Sequence, residues 1–211
     1  MKKTASHFFG LISLFLCILT LAITFTINFT PLYAFDVTYF TIPESLGFRK
    51  ETIMNNYSIL LDYLNKPWVS ELVMPDFPSS EDGLFHFYEV KRLFLLNYSV
   101  AFLSTIGTFF YLRYIKRTEQ TWKLVRPFQW GMIMPFVVLV IVALNFDALF
   151  IAFHELFFNN DAWLFNPSTD PIILALPEAF FMHCFILVFS LIELAMVIGY
   201  FTTKRLAFKK R

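Results

Sequence analysis

FHELFFNNDAWLFNPSTDPIILALPEAFF, running from Phe153 to Phe181, decides how the rest of the chain is read. It carries a His-Glu pair, a Trp, an Asn-Pro, an Asp-Pro and a Pro-Glu, and it is held between two long apolar runs. Polar groups that close to hydrocarbon cost free energy unless they are hydrogen-bonded or put to use. The stretch therefore reads as a functional loop at the edge of a membrane, and the remainder of the chain as the scaffold that places it there.

Composition agrees. Of 211 residues 57% are hydrophobic, 16% are charged and 29 are Phe, which takes the chain out of the soluble globular range and into the class of integral membrane proteins. The net charge of +1 conceals a segregation, because ten of the 17 Lys and Arg lie in two short stretches, Arg113–Arg126 and Lys204–Arg211. A nucleic-acid surface needs basic residues along one exposed face, so no nucleic acid is expected as a partner. Cys17 and Cys184 both sit inside apolar runs and read as small core residues, not as a disulfide framework.

Working outward from the polar stretch, four apolar runs cover about residues 8–29, 93–112, 128–153 and 178–203, each near the length of about 20 residues that spans hydrocarbon. The first follows Met1-Lys2-Lys3, but Phe8 to Phe29 is too long for the apolar core of a signal peptide and reads as an uncleaved helix. Residues 30–92 hold nine acidic and five basic side chains, whereas Arg113, Lys116, Arg117, Lys123 and Arg126 crowd the loop after the second run. The bias of basic residues toward the cytoplasm then places both chain ends inside and residues 30–92 outside. The expectation is an all-α integral membrane protein and a single membrane domain over residues 1–211. It is a four-transmembrane-helix bundle with a small extracytoplasmic cap between the first and second helices and an external loop over about 154–177.

Within the cap, Arg49 to Asn65 carries Ile53, Tyr57, Leu60, Leu61 and Leu64 at helical spacing and stops before Lys66-Pro67. Asp36 to Ile42 alternates loosely and reads as a short strand. Ser79-Ser80-Glu81-Asp82 resembles a capping box that starts a helix running unbroken through His86 and Glu89 into the second apolar run. The third run extends through Phe153, interrupted in composition only by Pro135, Asn145 and Asp147.

Two histidines, His86 and His154, both land at the outer end of a predicted membrane helix. Glu89 shares a helical face with His86, Asp147 falls on the stripe of His154 seven residues before it, and Glu155 adjoins His154. Histidine carries protons near neutral pH, and two of them can act as base and acid on one acyl centre. The bland alternative is a pair of interfacial aromatics with polar tips. A metal-dependent membrane hydrolase is a competing class, although His154-Glu155 lacks the second His of a zincin helix and no thiolate is at hand. A serine nucleophile at Ser80 or Ser168 lacks an elbow motif. A third class is a non-catalytic membrane assembly or sensing subunit. Trp163, Asn166 and Asp170 combine turn or anchoring chemistry with roles in orienting a substrate, and Glu178 enters the membrane directly after a proline. Asp147, His183 and Glu193 lie deeper, as buried partners for one another or for Asn97, Asn145, Ser99 and Thr105, or as functional acids and bases. The Phe-Phe pairs beside the polar stretch suggest an aromatic-lined cavity for an apolar substrate.

Taken together, four spans, the Tyr-rich helix from Asn56-Tyr57 to Tyr63-Leu64-Asn65, the His-x-x-Glu-Val-Lys-x-Leu lead into the second span (His86 to Leu93) and the FHELFF-W-F-N-P-D-P-LPE-FF block resemble the lipoprotein intramolecular transacylase family of Gram-positive bacteria. The match covers nearly the whole chain. The resemblance implies a bacterial cell-membrane acyltransferase whose substrate is a diacylated lipoprotein or lipopeptide embedded among membrane lipid. Its reaction moves the sn-2 acyl chain of the diacylglyceryl group to the α-amino group of the amino-terminal cysteine, giving the lyso-form. The resemblance also implies that His86 and His154 are the catalytic pair, with Tyr57 in the characteristic cap helix, and it implies no cofactor and no metal.

Overall fold

The computed structural model describes residues 2–208, with side chains from Ser6 onward. Every regular element among the described residues is helical: α1 (Lys2–Asn28), α2 (Thr30–Tyr39), α3 (Ile42–Leu46), α4 (Lys50–Asn65), α5 (Glu81–Arg117), α6 (Val125–Gly131), α7 (Ile133–Leu144), α8 (Phe146–Phe157), α9 (Ile172–Ala175) and α10 (Glu178–Phe208), with a short 3-10 turn at Thr121–Leu124. Four stretches are long and apolar enough to cross a membrane: Ser6–Asn28, Glu81–Arg117, Thr121–Leu144 and Glu178–Phe208. Large apolar side chains such as Phe102, Leu103, Phe136, Leu194 and Phe201 point outward from them, as side chains facing lipid do. The protein is an all-helical membrane protein.

Two expectations need correction. Asp36 to Ile42 is not a strand. Pro31 sits in the first turn of α2, and Tyr33, Asp36 and Val37 form its buried i, i+3, i+4 face, so the helical period overrides the loose alternation. Thr41 then takes a left-handed conformation (φ 50°) that ends the segment before α3 begins. The third apolar run is likewise not one helix through Phe153. Asn145 leaves helical geometry (φ −161°), and its side-chain oxygen accepts from the Ala148 amide at 3.3 Å, capping a new helix, α8.

The chain divides into two compact units, and α1, α5 and α10 contribute residues to both. The first unit comprises Met1–Thr26, Asn97–Leu144 and Phe185–Arg211. Its core holds Leu14, Ala22, Tyr111, Ile115, Leu124, Phe128, Ile192 and Met196. Polar side chains bridge its helices, with Asn97 donating to Thr24 at 2.8 Å and the Tyr111 hydroxyl bonded to His7 at 2.7 Å; such bonds hold helices together where hydrophobic burial gives little drive.

The second unit comprises Ile27–Leu96 and Asn145–Cys184. Its core gathers Tyr33, Val37, Ile53, Tyr57, Leu60, Phe77, Ile172, Ala175 and Phe180, so the cap helices and the polar stretch share one hydrophobic centre. Tyr33 stacks on Tyr57 with centroids 3.8 Å apart, and its hydroxyl donates to the Ala175 carbonyl at 2.8 Å. That centre makes the loop after α8 part of a packed body.

Candidate active site

Each of the two histidines depends on how its helix starts. The N-cap of α5 is Ser80, whose hydroxyl oxygen accepts from the Gly83 amide at 3.0 Å. A capping box would also have a Glu or Gln at the third helical position accepting from the Ser80 amide, but that position is Gly83. Asp170, from the far end of the polar stretch, takes the role instead: its Oδ1 accepts from the Ser80 amide at 2.8 Å and the Ser80 hydroxyl at 3.0 Å, and its Oδ2 from Thr169 at 2.6 Å. A Cβ on residue 83 would lie 2.1 Å from Asp170 Oδ1, so the carboxylate fits only because residue 83 is glycine. The carboxylate is 3% exposed and staples residues 158–177 to the start of α5.

His86 follows in the second turn of α5 and His154 lies in the last turn of α8. Their ring centroids are 5.8 Å apart with planes inclined by 34°, and each residue is 8% exposed. His154 is gripped on both sides. Trp163 stacks on it at 4.6 Å and 25°, and Phe150 packs at 4.3 Å. Its Nδ1 lies 2.7 Å from the Phe150 carbonyl oxygen. A carbonyl only accepts, so Nδ1 holds the proton and Nε2 keeps a free lone pair. Burial pushes the pKa of His154 below its ordinary value of 6.5, the Phe150 hydrogen bond opposing, so the ring is a neutral base at pH 7.

His86 is fixed by aromatic edges. Phe158 meets it at 4.7 Å and 68° and Phe165 at 5.5 Å and 85°, while its Nδ1 is buried with no hydrogen-bond partner among the described residues. A buried nitrogen left unpaired is costly. Phe158 touches both imidazoles, standing 5.6 Å from His154 as well.

The other residues singled out from the sequence scatter around this pair. Glu89 accepts on both carboxylate oxygens from the Asn160 amide at 3.1 Å. Glu155 is exposed, about 100° round α8 from the buried His154. Asn166 is an exposed turn former whose side chain accepts from the Ser168 amide at 3.0 Å. Glu178, also exposed, lies beside Asp147 of α8. Tyr57 stands in the core against Tyr33 and Phe180. The deeper groups are not one another's partners: His183 Nδ1 bonds Asp36 Oδ1 at 2.8 Å, and Glu193 Oε2 is buried without a partner among the described residues. Sequence reasoning passed over Phe158, Phe165, Asn160 and Asp36. Only Asp36, a carboxylate inside the apolar run Tyr33 to Tyr39, carried a signal that could have flagged it.

The family model for the lipoprotein intramolecular transacylases, Lit, matches residues 8–181. The chain belongs to that family. It is thereby an acyltransferase of the membrane. The chain is similar to the solved structure of the membrane-integral transacylase Lit from Bacillus cereus, with 29% identity and a TM-score of 0.94 over 99% of this chain and 97% of that one. Two variants of the Bacillus cereus Lit in which a histidine is replaced, one by arginine and one by alanine, match at 28% identity and a TM-score of 0.85. They cover 93% and 94% of those chains and 99% of this one. No curated protein matches the chain. Among the described residues no three His, Cys, Asp or Glu side chains converge as ligands for a metal ion.

Proposed function

We propose that His86 and His154 together catalyse the transfer of the sn-2 acyl chain of a diacylglyceryl-modified lipoprotein to the α-amino group of its own amino-terminal cysteine. The observation that carries this is the convergence of two buried imidazoles, 5.8 Å apart, from helices that begin 65 residues apart in the chain at positions 81 and 146. The C–N bond of the amide forms as the ester C–O bond breaks, and one proton passes from nitrogen to the glyceryl oxygen. His154, with Nε2 free and its ring neutral, takes the proton from the attacking amine. His86 delivers a proton to the departing oxygen, and the short gap between the rings lets the pair reset.

Because donor and acceptor belong to one molecule, the enzyme has only to fold the lipid head so that amine and carbonyl meet, and orientation alone can supply a large share of the rate. Trp163 and Phe158 hold the imidazoles in place, and Asp170 anchors the stretch that carries them both to α5. The basic loop after α5 and the basic tail support cytoplasmic termini, with the histidines on the outer side. The test is tandem mass spectrometry of a defined diacylated lipopeptide after incubation with the purified protein. The wild type moves one acyl chain from oxygen to nitrogen, and His86→Ala and His154→Ala yield no lyso-form while inserting in the membrane at normal levels. Unchanged product from both variants removes the histidines from the chemistry.

A further inference from the structure

A cavity of about 300 Å³ is lined by Glu89, Arg92, Leu93, Leu96, Phe157 and Phe158, the last of which also contacts both imidazoles. We propose that this cavity docks the free α-ammonium group of the lipidated amino-terminal residue, with Glu89 as the anion that binds it; the proposal rests on the transacylase reading above and assigns the substrate's amine its place before reaction.

The carboxylate is prepared for such a ligand. Both oxygens accept from the single Asn160 amide nitrogen at 3.1 Å, which sets the orientation of the group, and each oxygen keeps further lone-pair capacity. Arg92, three residues on, lies on the same face of α5 and lines the same cavity. Neither belongs to an ion pair among the described residues, so the two opposite charges stand side by side without neutralising one another. A fixed carboxylate with a guanidinium one turn away fits a ligand that carries a cation and a carbonyl oxygen a few bonds apart. The first residue of a polypeptide is such a group, its ammonium and its own carbonyl being separated by one carbon. Leu93, Leu96, Phe157 and Phe158 supply the apolar wall for the hydrocarbon attached to that residue's side chain.

The position matches the sequence of events. Phe158 lines the cavity and also contacts His86 and His154, so it links an amine bound at Glu89 to the imidazoles. Of its three protons, one leaves to generate the nucleophile, one passes to the glyceryl oxygen, and one remains on the amide. The product has no cationic nitrogen left for Glu89, so the same contact that admits substrate releases product.

The test uses two lipopeptides with ether links in place of the esters, which bind but cannot react, one with a free amino terminus and one N-acetylated. Binding of each to purified wild-type protein is measured by displacement of a fluorescent diether lipopeptide. The free amine is expected to bind at least about tenfold tighter, the range of one charge-assisted hydrogen bond to a half-buried carboxylate. In Glu89→Gln that preference falls to near unity, and in Asn160→Ala, where the carboxylate loses its orienting partner, it shrinks. Equal binding of the two analogues to wild type overturns the proposal, as does a preference that survives Glu89→Gln, or survives Asn160→Ala should Glu89→Gln fail to fold. Because the readout needs no turnover, a protein that shows the preference yet transfers no acyl chain from an ester substrate overturns the catalytic reading and leaves the ammonium site standing.

Discussion

Replacing Gly83 by alanine should change sign according to what stands at position 170. In an ordinary helix the exchange is favourable by about 0.5–1 kcal/mol, because glycine loses more backbone entropy on folding. Here the new Cβ would sit 2.1 Å from Asp170 Oδ1, and relief to an ordinary contact of about 3.5 Å moves the oxygen by more than an ångström. That breaks its bonds to the Ser80 amide and hydroxyl, now 2.8 and 3.0 Å. Two charge-assisted hydrogen bonds to a buried carboxylate are worth on the order of 3 kcal/mol together, which outweighs the helix gain and leaves Gly83→Ala about 2 kcal/mol destabilising in the wild type. With Asp170→Ala already in place the obstacle is gone, and the same exchange should stabilise by about 0.5–1 kcal/mol. For a chain of this length the wild-type-background loss corresponds to a fall of about 4–8 °C in the unfolding midpoint. Four proteins in one detergent, followed by thermal unfolding, complete the cycle, with lipopeptide turnover as a second readout because the staple holds the loop that carries Trp163 and Phe165. A midpoint that rises by the same amount in both backgrounds would show that Asp170 does not occupy the space over Gly83.

Two further expectations follow from the same unit. His154 is held neutral by burial, so in isotope-labelled histidine spectra its titration midpoint should lie below 6.5; the neutral, proton-accepting form then persists as pH falls through 6.5, and a midpoint at or above that value contradicts the environment described. The pair Asp36–His183 should respond asymmetrically, because Asp36 is fully buried while the His183 side chain is 25% exposed. His183→Ala strands a buried carboxylate and should cost on the order of 3 kcal/mol, whereas Asp36→Ala leaves a partly exposed imidazole that can stay neutral and should cost less; equal losses in thermal unfolding would refute the account.

Much of the fold was legible because the membrane imposes length and polarity rules that act on single runs of sequence. Runs of about 20 apolar residues, the basic loop after α5 and the proline after Asn65 announced the spans and the long cap helix without any knowledge of their neighbours. His86 and His154 were legible for a related reason: titratable groups beside hydrocarbon stand out in one dimension. The failures were local ambiguities that packing resolved, such as the alternating segment from Asp36 to Ile42, which became α2 once Tyr33, Asp36 and Val37 found a buried face.

The chain alone therefore determined the class, the number of spans and which imidazoles to suspect, since those follow from composition and local spacing. Only the tertiary structure decided that the two rings meet at 5.8 Å and that Asp170 takes the place of a missing capping glutamate 90 residues away. Those are contacts between distant parts of the chain. Their geometry depends on how helices pack against one another, and neither the hydrophobic period of a segment nor its charge carries that information.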